Sequence, residues 1–294
     1  MSRLALSQES SARAQPAHEG ARVAAAAARD RAGVTVRNLQ RLDDIRAAAE
    51  LWHGVWERDG EPPVSADLLR ALAHAGNYLS GAFAGERLQG ALLGFFGMHD
   101  GELLLHSHIL GVDSTARTRG VGFALKLHQR AWALEHGVER VTWTYDPLVR
   151  GNGYFNLAKL GATGVEYLED FYGAMPDAIN AGGESDRLLI SWSLASGGVE
   201  TALSGAAELD VEEARRHGAQ VALAVGTDGG GPVPGEVGTG PLLCQVPSDI
   251  VGLRRESPDL AKAWRQALRE VMGPAVARGL RVAAMSRSGW YLLA

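Results

Sequence analysis

The chain has 294 residues, of which 46% are hydrophobic, and its formal net charge is −5 with a pI near 6.0. This length suffices for one large or two ordinary domains, and the acidic balance excludes a broad nucleic-acid-binding surface. The single cysteine, Cys244, excludes an internal disulfide and any multi-cysteine metal site, which indicates a cytoplasmic location.

Residues 1–32 are rich in alanine, serine and arginine. The run VAAAAA is too short and too weakly hydrophobic for a secretory signal, and no stretch approaches the ~18 apolar residues of a membrane span. We expect a disordered or partly helical N-terminal extension that is dispensable for activity, with an organelle-targeting peptide as the alternative. We expect Cys244 to be a small buried hydrophobe.

The next part of the chain, residues 33–112, predicts one strand, two helices and three strands. The first strand is residues 33–39. The first helix follows Asp43 or Asp44 and ends before Asp59-Gly60, and the second is capped by Ser65 and ends near Gly76. The last three strands form an antiparallel meander over residues 78–84, 88–98 and 103–112. The apolar positions that predict buried helix faces are Leu42, Ile45, Ala49, Trp52 and Trp56 in the first helix, and Leu68, Leu69 and Leu72 in the second.

A glycine-bearing loop links the third strand of this meander to a helix that starts at Gly120 and stops at Gly137. The helix has apolar residues at alternating spacings of four and three, and polar residues on its other face. The strand VTWTYD follows it. The apolar positions are Ala124, Leu127, Ala131, Leu134 and Val138, and the polar ones are Lys126, Gln129 and Arg130.

This loop has the chemistry of a phosphate site. A helix N-terminus presents N–H groups without intrahelical partners, and the helix dipole adds partial positive charge. Gly120 and Gly122 allow a ligand to approach these amides, and Arg117 and Arg119 can donate charge-assisted hydrogen bonds. The alternative is a solvated basic turn that merely starts a helix.

The hexapeptide from Arg117 to Gly122 resembles the R/Q-x-x-G-x-G/A acyl-CoA motif of the GNAT superfamily of N-acyltransferases. HSHILGV, the Asp-Pro after WTY, FNLAKLG and DRLLISW also resemble a bacterial and archaeal subgroup of predicted acetyltransferases, similar to amino-acid N-succinyltransferases. The resemblance covers roughly residues 34–194. It implies the GNAT fold, an α/β (α+β) fold with a mixed sheet, in which loop amides hold the pyrophosphate and the pantetheine arm lies between the strands HSHILGV and VTWTYD. The cofactor-binding residues it implies are Val112, Arg117, Thr118, Arg119, Gly120, Val121, Gly122 and Asn156.

Beyond the loop, the sequence predicts a GNAT domain over residues 33–195 and a further C-terminal region. The domain closes with a short helix near residues 154–160 and strands at VEYLEDFY and residues 187–194. Residues 196–241 read as a Gly/Ala-rich linker with one possible strand, of which 226–241 form a flexible loop without a P-loop lysine. Residues 242–294 predict a strand, a helix and a hairpin that pack on the GNAT domain. The order of these elements is similar to that of the half that carries the hexapeptide, so a degenerate internal repeat is possible. The segment SPDLAK at the start of the helix has no glycine, however, which argues against a second acyl-CoA site.

Four residues are candidates for catalysis. His106 and His108 share one strand face, and either could be a base, a substrate contact or a structural histidine. Tyr145 could protonate the leaving thiolate and Asp146 could bind an ammonium, although Asp146-Pro147 also suits an ordinary turn. The tyrosine that many GNAT enzymes use as the acid is replaced by Leu157, which leaves Tyr154, Tyr172 or solvent for that role. No metal is expected, because a turn separates His99, Asp100 and Glu102 from the two histidines.

The sequence therefore predicts an acyl-CoA-dependent N-acyltransferase. Acetyl-CoA is the default donor, a larger acyl group such as succinyl is open, and the acceptor is the amine of a small molecule, with an amino acid as one candidate. Neither nucleic acid nor a membrane is an expected partner, and a homodimer is left open. The alternative is an acyl-CoA-binding module with weak or no catalysis.

Overall fold

The structure is a computed structural model that describes residues 3–56, 61–99, 101–173, 183–205, 208–227 and 230–294, with side chains from residue 16. The chain forms two compact units, Met1–Val141 and Thr142–Ala294. The expected boundary near residue 195 lies inside the second unit, whose C-terminal elements pack on strands that precede it in the chain.

The first unit is an antiparallel meander covered by helices. Its strands pair in the order β1-β2-β3-β4, so the predicted three-strand meander is confirmed. Asp59, Gly60 and Asp100, at predicted turns, lie outside the described residues. The elements are α1 (Arg3–Ala32), β1 (Thr35–Asn38), α2 (Leu42–Trp56), α3 (Ala66–His74), β2 (Tyr78–Ala84), β3 (Arg87–His99), β4 (Glu102–Val112) and α4 (Val121–Glu135).

Helices α2 and α3 bury a cluster of apolar side chains against this sheet. Trp52 is fully buried, and its Nε1 donates a hydrogen bond to the carbonyl oxygen of Ala91 at 3.2 Å. Ser65 caps α3 as predicted, accepting from the amide of Leu68. Leu42 and Leu68 are 42% and 52% exposed, so their predicted burial is wrong. Each lies in the first turn of its helix, where its side chain lies beside the apolar stripe instead of within it.

The N-terminal segment is a helix and not a disordered extension. Helix α1 packs along α4, with Ala21, Ala28 and Ala32 buried. Arg22 forms an ion pair with Glu135 on α4, with 2.7 Å between Nε and Oε1. The composition misled the prediction because alanines contribute little apolar area individually, yet their small size allows two helices to approach closely.

Helix α4 is buried on most of its surface, including its predicted polar face. Ten of its fifteen residues are buried, among them Lys126, Gln129 and Arg130. The ammonium of Lys126 donates to Ser107 Oγ at 3.1 Å and to Gln129 Oε1 at 2.8 Å. Burial lowers the pKa of Lys126 well below its ordinary value. Periodicity alone missed this environment because it could not show that Ser107 on β4 lies against Lys126.

The second unit is a mixed sheet with helices. Its strand order is β5-β7-β6-β11-β12-β10-β8-β9, and β8 runs parallel to β10 whereas β10–β12, β11–β12, β6–β11, β6–β7 and β8–β9 are antiparallel. The predicted α/β class with a mixed sheet is therefore confirmed. The elements are β5 (Arg140–Tyr145), α5 (Arg150–Tyr154), a π-helical turn (Phe155–Lys159), β6 (Thr163–Leu168), β7 (Arg187–Ser193), α6 (Gly197–Leu203), α7 (Val211–Arg216), β8 (Gln220–Val225), β9 (Pro232–Pro234), β10 (Leu242–Gln245), α8 (Ile250–Glu256), α9 (Pro258–Ala277), β11 (Val282–Met285) and β12 (Trp290–Leu293).

The region predicted to be a linker, residues 196–241, is built into this unit. It contains α6, α7, β8 and β9, and Val199 and Leu223 within it are fully buried. A Cβ on Gly235 would lie 2.0 Å from the carbonyl oxygen of Val221, so this glycine serves close backbone packing. The flexible-loop prediction for residues 226–241 is wrong where β9 pairs with β8, and residues 228–229 lie outside the described part.

The C-terminal strand, helix and hairpin are confirmed, and the short helix α8 was missed. Trp264 and Leu268 of α9 are fully buried, and α9 packs on β6. Strand β11 pairs with β6 through Val282 and Gly164. Strand β6 ends at Leu168, because the second half of VEYLEDFY turns at Asp170, which has a positive φ of 41°. Within the described ranges, no helix is both long and apolar enough to cross a membrane.

We predict that α1 contributes directly to stability. Ala28→Asp should lower the free energy of unfolding by about 2–4 kcal/mol, because it buries an unpaired carboxylate between α1 and α4. Val23→Asp on the same helix is the matched control, since Val23 is 59% exposed, and it should change stability by at most about 0.5 kcal/mol. Urea denaturation of both variants checks this. Equal stability of the two variants would show that α1 does not pack on α4.

Candidate functional site

The residues between β4 and α4 form a tight, anchored connection. Asp113 Oδ1 accepts a hydrogen bond from the amide of Thr115 at 2.9 Å and so caps a 3₁₀ turn over Ser114–Arg119. Ala116 and Val121 are fully buried on either side of the exposed arginines. The structure therefore brings Val112 and the hexapeptide from Arg117 to Gly122 together at the N-terminus of α4.

The two glycines of the hexapeptide have different structural roles. Gly120 has φ 83° and ψ 10°, a left-handed conformation that favours glycine. A Cβ on Gly122 would lie 3.6 Å from Val112 Cγ2 and 3.7 Å from Leu110 Cδ2, which are ordinary contacts. The fold therefore accepts alanine at position 122, although glycine within a helix costs about 1 kcal/mol relative to alanine.

The N-terminus of α4 has no side-chain cap, which is also true of α5, α6 and α9. Ser65, Asp210 and Asp249 each accept a hydrogen bond from an amide in the first turn of their own helix. Gly120 cannot do this, while Arg117 and Arg119 stand exposed in the turn just before it. First-turn amides, the positive end of the dipole and two guanidinium groups together suit a pyrophosphate.

A cavity of about 550 Å³ adjoins this loop within the first unit. Arg117, Asp113 and Ser114 form one polar wall, and α2 contributes Glu50 together with apolar residues, among them Leu51 and Val55. The side chain of Arg117 therefore borders a concave surface and not a flat one. A cavity of this volume is within the usual range for small-molecule sites.

His106 and His108 lie on one face of β4, as predicted. Their ring centroids are 6.1 Å apart, and the ring of Phe95 lies 5.2 Å from His106 and 5.7 Å from His108. The register between β3 and β4 shifts beside them, since Leu93 pairs with Ile109 but Gly94 pairs with Ser107. His108 is the extra residue of this bulge, a distortion that proteins often use to aim a side chain at an active site.

The two imidazoles have different environments. The pKa of His106 is lowered to about 4, chiefly by burial and then by the neighbouring His108 and Lys126. Burial also lowers the pKa of His108, although His108 is more exposed than His106. Both rings are therefore neutral near pH 7, and His108 is the one open to solvent.

The predicted role of Tyr145 as an acid is not supported by its surroundings. Tyr145 is buried, and its hydroxyl lies 3.2 Å from that of Tyr291, which donates to the carbonyl oxygen of Pro147 at 2.8 Å. Burial raises the pKa of Tyr145 above its ordinary value. This hydroxyl joins β5 to β12 inside the second unit.

The predicted ammonium-binding role of Asp146 stays a prediction, and its buried carboxylate already has two arginine partners. Arg265 donates to Oδ2 at 2.7 Å, Arg254 donates to the same oxygen, and the amide of Leu148 donates to Oδ1 at 3.0 Å. These charges and hydrogen bonds hold the pKa of Asp146 below its ordinary value despite burial. The alternative turn role is confirmed. The arginine partners are more than 100 residues away in the chain, so no local pattern could reveal them.

The remaining candidates also lie in the second unit. Asn156 is buried in the π-helical turn, and its Oδ1 accepts from the indole of Trp143 at 3.2 Å. Its predicted contact with acyl-CoA stays a prediction. Tyr154 contacts Glu208 and Arg287, whereas the partly exposed hydroxyl of Tyr172 lies 3.3 Å from Thr144 on β5.

Cys244 does not add to this site. Cys244 is fully buried, as predicted, and burial raises the pKa of its thiol to about 12. Among the residues that the structure describes, no group of three or more His, Cys, Asp and Glu side chains could hold a metal ion.

Comparisons with known proteins give structural similarities at low sequence identity. No protein-family model matches the chain, and no curated protein matches its sequence. The chain is similar to the solved structure of an N-acetyltransferase from Staphylococcus aureus Mu50, at 14% identity and a TM-score of 0.45, over 55% of this chain and 98% of that chain. It is also similar to the ribosomal-protein-S18-alanine N-acetyltransferase from Escherichia coli, at 14% identity and a TM-score of 0.43, over 56% of this chain and 96% of that one.

An aminoglycoside acetyltransferase from an uncultured soil metagenomic sample, solved in complex with sisomicin, is similar at 20% identity and a TM-score of 0.36, over 39% of this chain and 78% of that chain. All three similarities are below 25% identity and a TM-score of 0.5. The assignment of the loop therefore depends on its own sequence and geometry.

We predict that Asp146 contributes to stability. Asp146→Asn should lower the free energy of unfolding at pH 7 by about 3–5 kcal/mol, because it leaves two buried guanidinium groups without their carboxylate. The folded pKa of Asp146 is lowered, so its contribution is present above the unfolded value of about 4 and is lost as pH falls through the folded value. The stability gap between wild type and variant should therefore narrow below about pH 4. Urea denaturation across pH checks this, with the exposed Asp259→Asn as control. A gap that is constant with pH would contradict the ion-pair account.

Proposed function

We propose that the chain is an acyl-CoA-dependent N-acyltransferase that transfers an acyl group to the amine of a small molecule. Acetyl is the default group, a larger one such as succinyl is compatible, and an amino acid is one candidate acceptor. The observation that carries this proposal is Gly122, a glycine in the first turn of α4 that has no side chain to cover the amides there. It follows a left-handed glycine and two exposed arginines, the combination that allows backbone amides to approach a pyrophosphate.

In the proposed reaction, the acceptor nitrogen attacks the thioester carbonyl carbon, the new C–N bond forms and the C–S bond breaks. The amine must lose a proton, and the departing CoA thiolate must gain one. We assign the base to His108, directly or through one water, because its neutral ring is exposed and set out by the bulge. His106, with a pKa of about 4, is too weak a base and is better suited to orient the acceptor. Solvent supplies the proton to the thiolate.

A second function is favoured by one specific observation. Tyr145, the acid candidate on β5, and its neighbour Asp146 are held in internal contacts, and buried Leu157 occupies the position of the family tyrosine. These facts favour an acyl-CoA-binding module with weak or no catalysis. Release of free CoA thiol in the presence of amine pools, with mass spectrometry of the acylated product, separates the two functions.

We predict that Gly122→Glu abolishes acyl-CoA binding while the protein stays folded, because a side chain and a negative charge would occupy the place of the pyrophosphate. Calorimetric titration with CoA measures this. Gly20→Glu is the matched control, since Gly20 is an exposed helical glycine with open space around it, and it should bind CoA like wild type. Unchanged affinity in folded Gly122→Glu protein would refute the loop assignment.

We predict that His108→Gln lowers kcat by about 10²-fold or more, the usual contribution of a general base, with little change in KM for acyl-CoA. Because the pKa of His108 is lowered, wild-type kcat/KM should lose activity only below about pH 6.5, and the variant should lack this acid limb. The exposed His74→Gln, in the same unit, is the control. Wild-type kcat in His108→Gln would exclude this residue as the base.

A further inference from the structure

A second concave surface lies in the second unit, beside the π-helical turn. It is a cavity of about 600 Å³ that Arg150, Tyr154, Phe155, Lys159, Ser248 and Arg287 line. These residues come from α5 and its π-helical turn, from the segment before α8, and from the turn between β11 and β12. Parts of the chain more than 100 residues apart therefore converge on one cavity of small-molecule size.

Its wall carries an excess of positive charge. Arg150, Lys159 and Arg287 are its three cations. Within the described part of the chain, Glu208 is the one carboxylate at ion-pair distance from any of them, 3.2 Å from Arg287. Two cations thus face the cavity without a carboxylate partner among those residues. Like charges held together without a counter-ion favour a bound anion.

The cations are positioned by the fold. Nη2 of Arg150 donates to the carbonyl oxygen of Arg287, and Nε of Arg287 donates to the hydroxyl of Tyr154 at 2.9 Å. Gly289 has φ 93°, and a Cβ there would lie 3.2 Å from Arg150 Cδ, so glycine allows Arg150 to lie against the turn. Lys159 ends a π-helical turn, an irregularity that recurs at functional sites.

We propose that this cavity is a binding site for a phosphate-bearing small molecule, separate from the acyl-CoA loop. Arg150 and Lys159 suit a ligand with two or more negative charges, and the guanidinium fork of arginine matches phosphate oxygens. The rings of Tyr154 and Phe155 supply an apolar wall for the body of that ligand. This site goes beyond the proposed acyltransferase function and does not depend on it.

The test uses the full chain with Gly122→Glu, which removes the loop as a competing phosphate site, and inorganic pyrophosphate as the calorimetric probe at low salt. We expect one pyrophosphate per chain. Adding Arg150→Gln with Lys159→Gln should weaken its affinity at least 10-fold. Adding Lys262→Gln, on an exposed lysine of α9, should leave the affinity unchanged. No pyrophosphate binding, or equal affinity in the two sets of variants, would overturn the proposal.

A second arm separates an independent ligand from the 3′-phosphate of CoA itself. CoA and 3′-dephospho-CoA are titrated into protein that carries only Arg150→Gln and Lys159→Gln. Equal affinity to wild type for both compounds supports a separate ligand. Weaker binding of CoA alone would overturn it and assign the cavity to the CoA phosphate. Failure of the proposed function has a different signature, which is normal CoA binding by the Gly122→Glu protein.

Discussion

The left-handed backbone of Gly120 determines where α4 begins, and the site depends on that point. A residue with a Cβ would be strained at φ 83°, so glycine fixes the change from the 3₁₀ turn to the helix. The buried side chains of Ala116 and Val121 hold the connection on both sides. The first-turn amides are therefore oriented before any ligand arrives, which reduces the ordering that binding requires.

The rigidity of α4 extends this preorganisation into the first unit. The helix lies under α1 on one side, and on another Lys126 forms hydrogen bonds with Ser107 on β4 and with Gln129. Displacing α4 would break the buried hydrogen bond between Lys126 and Ser107 and the contacts between α4 and the alanines of α1. The same strand β4 carries His106 and His108 on its other face. The phosphate-binding loop and the histidines are thus fixed to one rigid framework, as transfer chemistry requires of groups that must keep their spacing.

The parts of the structure that short-range patterns encode were predictable from the sequence. The strand-like apolar runs predicted the meander, the helical spacing of apolar residues predicted α2, α3 and α9, and the hexapeptide predicted the loop. The errors share a physical cause, which is that burial depends on partners far away in the chain. Asp146 was predicted to be free to bind an ammonium because its partners Arg254 and Arg265 are distant in the sequence. Disorder was one prediction for α1 because its packing depends on α4, which is also distant in the sequence. Residues 196–241 were predicted to be flexible because they are rich in glycine. Glycine also permits close backbone packing, and the sequence alone does not distinguish the two.

The central claim is that the amides at the start of α4 bind the pyrophosphate of acyl-CoA. Backbone amide chemical shifts, followed by NMR while CoA is added to the full chain, test it most directly. The account predicts that the largest shifts fall on residues 117–123, because new hydrogen bonds to a phosphate strongly perturb amide protons. Saturable CoA binding that leaves the amides of residues 117–123 unperturbed would contradict it.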